Sequence, residues 1–225
     1  MQSNHMIETF KQYLTFFSSL THAQQALIVE NTQLKHYAKN ETLLSDVSEC
    51  SGLIVVKFGQ LRAFYSTEEG KQITLYRLLD GDVCIMSASC VLKNITFEVS
   101  LAFETDSEIY IIPIRIWRDL SQTNLTVQAY AMELMAARFS EVMWVMEQLV
   151  FKGIGERVAT FLMEQSTLVQ SDILTTTHEV VANNLSTARE VISRTLKHFE
   201  SDGIIALSRG VIKIVDFKKL QALIA

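Results

Sequence analysis

Residues 115–151 contain neither glycine nor proline, and within them Met132, Met135, Phe139, Val142, Met146 and Leu149 recur at spacings of 3, 4, 3, 4 and 3. An apolar stripe with that repeat is a heptad seam, the pattern of a helix that meets a copy of itself. The competing reading is a helix packed on its own domain. Leu134, Met143 and Val150 widen the stripe, so one helix can serve both purposes. A seam rich in methionine is pliable, which suits a helix that shifts between two arrangements. The chain is therefore expected to be organised around one long helix over 115–151, with separate folding units on either side.

On the N-terminal side, MIETFKQYL and THAQQALIVENTQL predict one or two short helices within residues 6–37. The texture then changes. GLIVVKFGQLRAFYS, KQITLYRLLDGD, ITFEVSLAFE and SEIYIIP are runs rich in β-branched and aromatic residues, punctuated by glycines and closed by Pro113. Short strands with regular turns predict an antiparallel barrel or jelly roll. EEGK at 68–71 and DGD at 80–82 predict two of its turns. Three cysteines, Cys50, Cys84 and Cys90, are too few for a secreted disulfide framework. The N-terminus lacks a basic n-region and no apolar run reaches membrane-span length, so a soluble cytoplasmic protein is expected.

The net charge of −5 argues against a nucleic-acid partner only while it is taken as one number. Residues 1–151 hold 11 Lys/Arg and 17 Asp/Glu, whereas residues 152–225 hold 9 and 8. The last third is close to neutral, so affinity for DNA must come from a local basic face. Here the pattern predicts strand, helix, turn, helix, hairpin and terminal helix. The first helix of the pair is expected to start at a capping box, Thr176-Thr177-His178-Glu179, and the second at Thr187-Ala188-Arg189-Glu190, with Ser186 as a rival N-cap. The inner face of the second is Ala188, Val191, Ile192, Thr195, Leu196 and Phe199.

Its outer face holds Arg189, Glu190, Ser193, Arg194 and Lys197. Such a face can be a solvated charge surface, with Glu190 and Arg194 an ordinary i,i+4 ion pair. It can equally read DNA: arginine binds guanine O6 and N7 bidentately, glutamate accepts from cytosine N4, and serine or lysine takes phosphates or base edges. A short capped helix before it and a hairpin with Arg209-Gly210 at its tip after it favour the second reading. Thr177, Ser186, Thr187 and Arg209 complete the candidate DNA-binding set.

HEVVANNLSTAREVISRTLKHFESDGIIALSRGVIKIVD resembles the winged helix-turn-helix of the Crp/Fnr superfamily of bacterial transcription regulators. The resemblance spans the whole chain, taking in the EEGKQITLYRLLDGD hairpin and the long helix. It implies an α+β fold in three parts. These are an N-terminal β-roll sensor over 1–114 (a cyclic-nucleotide-binding-like jelly roll), a dimerisation helix over 115–151, and a winged helix-turn-helix over 152–225. It places the base-reading positions at Arg189, Glu190 and Arg194, with Ser193 where the Fnr-type branch uses a serine. Ser186 departs from the pattern, because many members have a turn glycine there; a serine at positive φ costs about 1 kcal/mol. The implied partners are a palindromic duplex operator, a second copy of the chain and RNA polymerase.

The effector is harder to read. The cyclic-nucleotide binders of the superfamily carry Gly-Glu after the G-D turn and Arg-Ser/Thr further on. Here Ile85-Met86 stand at the first place and Ile95-Thr96 at the second. A cyclic phosphate without its arginine would be an uncompensated charge, so no tight cyclic AMP binding is expected. An Fnr-type iron–sulfur cluster needs four cysteines and is not expected either. Cys84 and Cys90 are candidates for a redox pair or a haem thiolate, with His22 and His36 as possible axial ligands, although a free cysteine is more often a small buried hydrophobe and a lone histidine is usually structural. SASC at 87–90 suggests where the roll approaches the long helix, and Cys84, Ser87, Cys90 and Thr96 are the candidate effector residues. The chain has no Gly-rich phosphate loop, nucleophile elbow or metal-ligand cluster, so an enzyme is not expected. The rival to effector control is a constitutive DNA-binding regulator whose β-roll makes only protein contacts.

Overall fold

A computed structural model describes residues 2–43, 52–85 and 99–224. The candidate effector residues Ser87, Cys90 and Thr96, and also Cys50, Met86 and Ile95, lie outside the described residues. The chain divides into two compact units, Met1–Ser66 with Leu75–Val142, and Thr67–Thr74 with Met143–Ala225.

In the first unit, α1 (Gln2–Tyr13), a single 3-10 turn (Phe17–Ser19) and α2 (His22–Asn31) precede the strands. Thr21 and Gln24 form a reciprocal capping box that starts α2. Eight strands follow: β1 (Gln33–Tyr37), β2 (Thr42–Leu43), β3 (Leu53–Phe58), β4 (Leu61–Ser66), β5 (Gln72–Leu78), β6 (Val83–Ile85), β7 (Ser100–Phe103) and β8 (Ser107–Ile112). They make two four-stranded sheets, in the orders β1-β8-β3-β6 and β2-β7-β4-β5. The pairs β1–β8, β3–β8, β3–β6, β2–β7 and β4–β7 are antiparallel, in keeping with the jelly-roll expectation.

The continuous apolar runs of β3 and β8 follow from burial on both faces. Ile54, Val56, Ile109 and Ile111 face Leu61, Leu101 and Phe103 of the other sheet. Leu53, Val55, Tyr110 and Ile112 face the opposite way, against Phe10, Leu14, Phe17 and Trp117 from the helices. The two alternating sets seat the sheet between a β layer and a helical layer. Gly52, where the chain enters β3, has φ +120°, and a Cβ there would lie 1.9 Å from the Ile112 carbonyl oxygen. Only glycine fits that approach.

Two expectations need correction. The predicted N-terminal helix ends at Asn31, and Gln33–Tyr37 forms β1 on β8. Four of its five residues are exposed, so it carries no alternation to betray a strand. The long helix is also broken. α3 (Ile114–Thr123) ends at Asn124, and α4 (Leu125–Phe151) begins there. The Asn124 carboxamide oxygen accepts from the N–H groups of Thr126 and Val127, at 2.9 and 3.2 Å, and so caps α4 as a new helix.

α4 keeps its two faces. Val127 is buried in the core, and Tyr130, Ala131 and Leu134 pack against that core. On the neighbouring face Met132, Phe139 and Met146 are 61%, 67% and 55% exposed, Val142 is exposed, and Met135 and Leu149 are half-buried. No helix among the described residues is long and apolar enough to cross a membrane.

Candidate nucleic-acid interface

The second unit contains α5 (Ile154–Val169), β9 (Ile173–Thr175), α6 (His178–Asn184), α7 (Arg189–Ser201), β10 (Ile205–Ser208), β11 (Val211–Ile214) and α8 (Phe217–Ala222). β10, β11 and β9 form one antiparallel sheet. Arg209-Gly210 joins β10 to β11, with Gly210 at φ +73°. One core holds the unit together: Val158, Phe161 and Leu162 from α5, Val181 from α6, Ile192, Leu196 and Phe199 from α7, and Ile205 and Ile212 from the hairpin.

The turn between α6 and α7 is fixed at three points. Thr187 N–H donates to the Ala182 carbonyl at 3.1 Å. Ser186 adopts φ +50°, the left-handed conformation that glycine supplies in related turns. The Arg157 guanidinium of α5 donates to the Leu185 carbonyl at the C-cap of α6, and burial lowers the pKa of Arg157.

Both predicted capping boxes are corrected. Thr177, not Thr176, caps α6: its hydroxyl accepts from Val180 N–H at 3.2 Å, so Val180 and not Glu179 sits at the third helical position. α7 begins at Arg189 with Ala188 as its N-cap, and no side chain caps it. Ala188 is exposed and leaves the inner face, which Ile192, Leu196 and Phe199 fill. Glu190 is consequently not engaged as a cap and stands exposed on the outer face.

The outer face is assembled as the spacing predicts. Arg189, Glu190, Ser193, Arg194 and Lys197 line one open surface groove. All except the half-buried Ser193 are exposed. An adjoining cleft between the helix pair and the hairpin is lined by Thr177, His178, Glu179, Arg189 and Arg209, among others. Arg189 therefore borders both concavities, and Arg209 extends the basic surface from α7 onto the hairpin. Ser186 and Thr187 are half-buried turn residues, outside both groups. Sequence reasoning missed His178 as a partner of this face: its Nδ1 lies 2.8 Å from Ser193 Oγ.

Two family models match the chain: a Crp-like helix-turn-helix domain over residues 156–223 and a cyclic nucleotide-binding domain over residues 34–124. The chain is 28% identical over 200 residues to Electron transport regulator A of Shewanella oneidensis, covering 84% of this chain and 77% of that protein. It is 27% identical over 193 residues to the transcriptional activator protein FnrA of Stutzerimonas stutzeri, covering 82% and 78%. A crystal structure of a protein from Eubacterium rectale, assigned to the Crp/Fnr family of transcriptional regulators, superposes with a TM-score of 0.91 at 42% identity. That match covers 95% of this chain and 99% of the other. The chain belongs to the Crp/Fnr family.

The other candidate site lies in the β-roll. Among the described candidates, Cys84 is fully buried in β6, with its Sγ 3.7 Å from the Tyr76 hydroxyl. Burial pushes its thiol up to about 11, despite the Tyr76 hydrogen bond and the nearby Arg138 charge. The thiolate that a redox pair or haem ligand would need is therefore disfavoured at this position. His22 and His36 are both exposed, and His36 Nδ1 lies 3.2 Å from Glu108 Oε1 on the outer surface. The residue the sequence did not single out is Arg138 of α4. Its guanidinium lies 4.7 Å over the Tyr76 ring, donates to Val83 O at 3.0 Å, and pairs with Glu141 at 2.7 Å. Its Nε is buried and has no hydrogen-bond partner among the described residues.

Proposed function

We propose that this Crp/Fnr-family regulator acts as a homodimer that reads a palindromic operator through α7, under control of an effector bound at its β-roll. The observation that carries the reading is the placement of Arg189, Glu190, Ser193, Arg194 and Lys197 in one open groove beside the Arg209 hairpin. In this assignment Arg189, Glu190, Ser193 and Arg194 meet base edges in the major groove. Thr177, Ser186, Thr187, Lys197 and Arg209 meet phosphates. Two copies related by a two-fold axis address half-sites about 34 Å apart.

The division of labour assigned to the chain is sensing over 1–114, dimerisation over 115–151 and DNA reading over 152–225. The exposed Met132, Phe139, Val142 and Met146, with the half-buried Met135 and Leu149, supply the dimer seam. The effector region includes Cys84 and adjoins Tyr76, Arg138 and the Val83 carbonyl, where a change in the roll is transmitted directly to α4. RNA polymerase is the partner through which a bound dimer acts, the protein works in the cytoplasm, and it performs no catalysis.

The test is selection of binding sites from random duplexes by the full-length protein, followed by sedimentation of the complex. Recovery of an inverted repeat bound by two chains is the expected outcome. Recovery of no common sequence at low salt, where phosphate contacts are strongest, would overturn the assignment.

A further inference from the structure

The hydrogen bond between His178 and Ser193 joins the first residue of α6 to the middle of the reading face of α7. We propose that His178 sets the hydrogen-bonding polarity that Ser193 presents to the base it meets. The operator preference at that one position then depends on the protonation state of a histidine on the neighbouring helix. This inference rests on the reading of α7 as the DNA reader.

The argument follows from the inventory of a serine hydroxyl, which has one proton and two lone pairs. When Nδ1 of the ring carries no proton, it accepts from Ser193, and the hydroxyl proton is consumed. Ser193 then offers DNA only a lone pair, which matches the amine of cytosine N4 or adenine N6. When Nδ1 carries a proton, it donates to Ser193 Oγ. The serine proton is released toward DNA, where it matches guanine O6 or N7, or thymine O4. A 2.8 Å contact accommodates a hydrogen bond in either direction, and the information it conveys inverts with that direction. An imidazolium always presents the second state, whereas a neutral ring has access to the first.

Charged groups line both concavities that hold the pair. Glu179 on α6, Arg189 on α7 and Arg209 on the hairpin line the cleft with His178. Glu190, Arg194 and Lys197 share the groove with Ser193. His178 acts through Ser193 and is a positioning residue.

The experiment selects sites from random duplexes with the full-length protein, at low salt, at about pH 5.5 and about pH 8.5, on either side of the histidine range. It then measures affinities for duplexes that differ at single half-site positions. One position is expected to move from an acceptor-bearing base at low pH to an amine-bearing base at high pH, by roughly fivefold or more in relative affinity. In His178→Gln the preference no longer moves with pH. In Ser193→Ala the preference at that position is lost at both pH values, while the position read by Arg194 keeps its own.

A wild-type preference that is the same at both pH values overturns the proposal and leaves the DNA reading intact. So does a pH shift that survives in His178→Gln. Recovery of no common sequence under either condition overturns the DNA reading and this inference with it.

Discussion

Arg138 of α4 donates a 3.0 Å hydrogen bond to the main-chain oxygen of Val83 in β6. The same guanidinium covers the ring of Tyr76 and pairs with Glu141. One side chain thus ties the long helix to the β-roll through a backbone acceptor, an aromatic face and a carboxylate. Arg138→Leu keeps the apolar stem and removes all three polar contacts. It leaves Glu141 without its partner in a partly buried setting, so a loss of about 1–3 kcal/mol is expected. Calorimetric unfolding checks this, with Arg138→Lys falling between the two: lysine keeps the charge but lacks the planar fork.

Cys84 should behave as a buried hydrophobe. Its thiol is pushed up to about 11 from the usual 9.0, chiefly by burial. The folded state therefore holds this proton more tightly than the unfolded chain does. The resulting stability is fully present below about pH 9 and is lost as pH rises from there through about 11. Cys84→Ser or Cys84→Ala should flatten that alkaline decline. At neutral pH the native thiol should resist alkylation and react only once the protein unfolds, as mass spectrometry of labelled peptides would reveal.

The two sheets, the helix pair and the hairpin were legible because each has a strong local signature. β3 and β8 are continuous apolar runs, and Ile192, Leu196 and Phe199 recur at helical spacing. β1 was illegible because its residues are mostly exposed and its place is set by backbone pairing to a strand some seventy residues away. The first capping box was misplaced by a residue because Thr176 and Thr177 compete for one role and only backbone geometry chooses between them. The second does not form, because α7 starts at Arg189 behind Ala188, which has no side-chain oxygen to offer. His178 escaped notice for a different reason. It meets Ser193 fifteen residues later, across two packed helices, and no periodicity encodes such a contact.

The exposed seam on α4 makes a prediction about assembly. Phe139 is 67% exposed and Met132 61%, and both stand on the face that leaves the core. A charge placed there costs the folded monomer little, since these side chains are not in its core. In a helix pair two such charges would face each other within an apolar seam. Phe139→Asp should sediment as a folded monomer with unchanged far-ultraviolet dichroism. A persistent dimer would move the interface away from this stripe.

Ser186 holds the turn at φ +50°. A left-handed serine costs about 1 kcal/mol, of which Ser186→Gly returns part, because glycine also raises the entropy of the unfolded chain. A net stabilisation of about 0.5 kcal/mol is expected, small but measurable by denaturant titration. Ser186→Val should destabilise by more than that, because a β-branched residue tolerates this conformation poorly. Equal stability of all three would mean that the turn relaxes to another conformation.

Arg194 and Lys197 lie three residues apart on α7, both exposed in the same groove. Their chemistry separates their effects on DNA. A planar guanidinium can satisfy two acceptors of one guanine, so Arg194→Ala should cost about 1–3 kcal/mol of specific binding and flatten preference at one base pair. An ammonium near a phosphate carries no base information. Lys197→Ala should weaken all duplexes alike and reduce the slope of log affinity against log salt by about one. Measured together on the selected operator and on a scrambled duplex, the two variants form a cross-check. If Arg194→Ala weakened both duplexes equally, the arginine would be a phosphate contact, and base reading would have to rest on Arg189, Glu190 and Ser193.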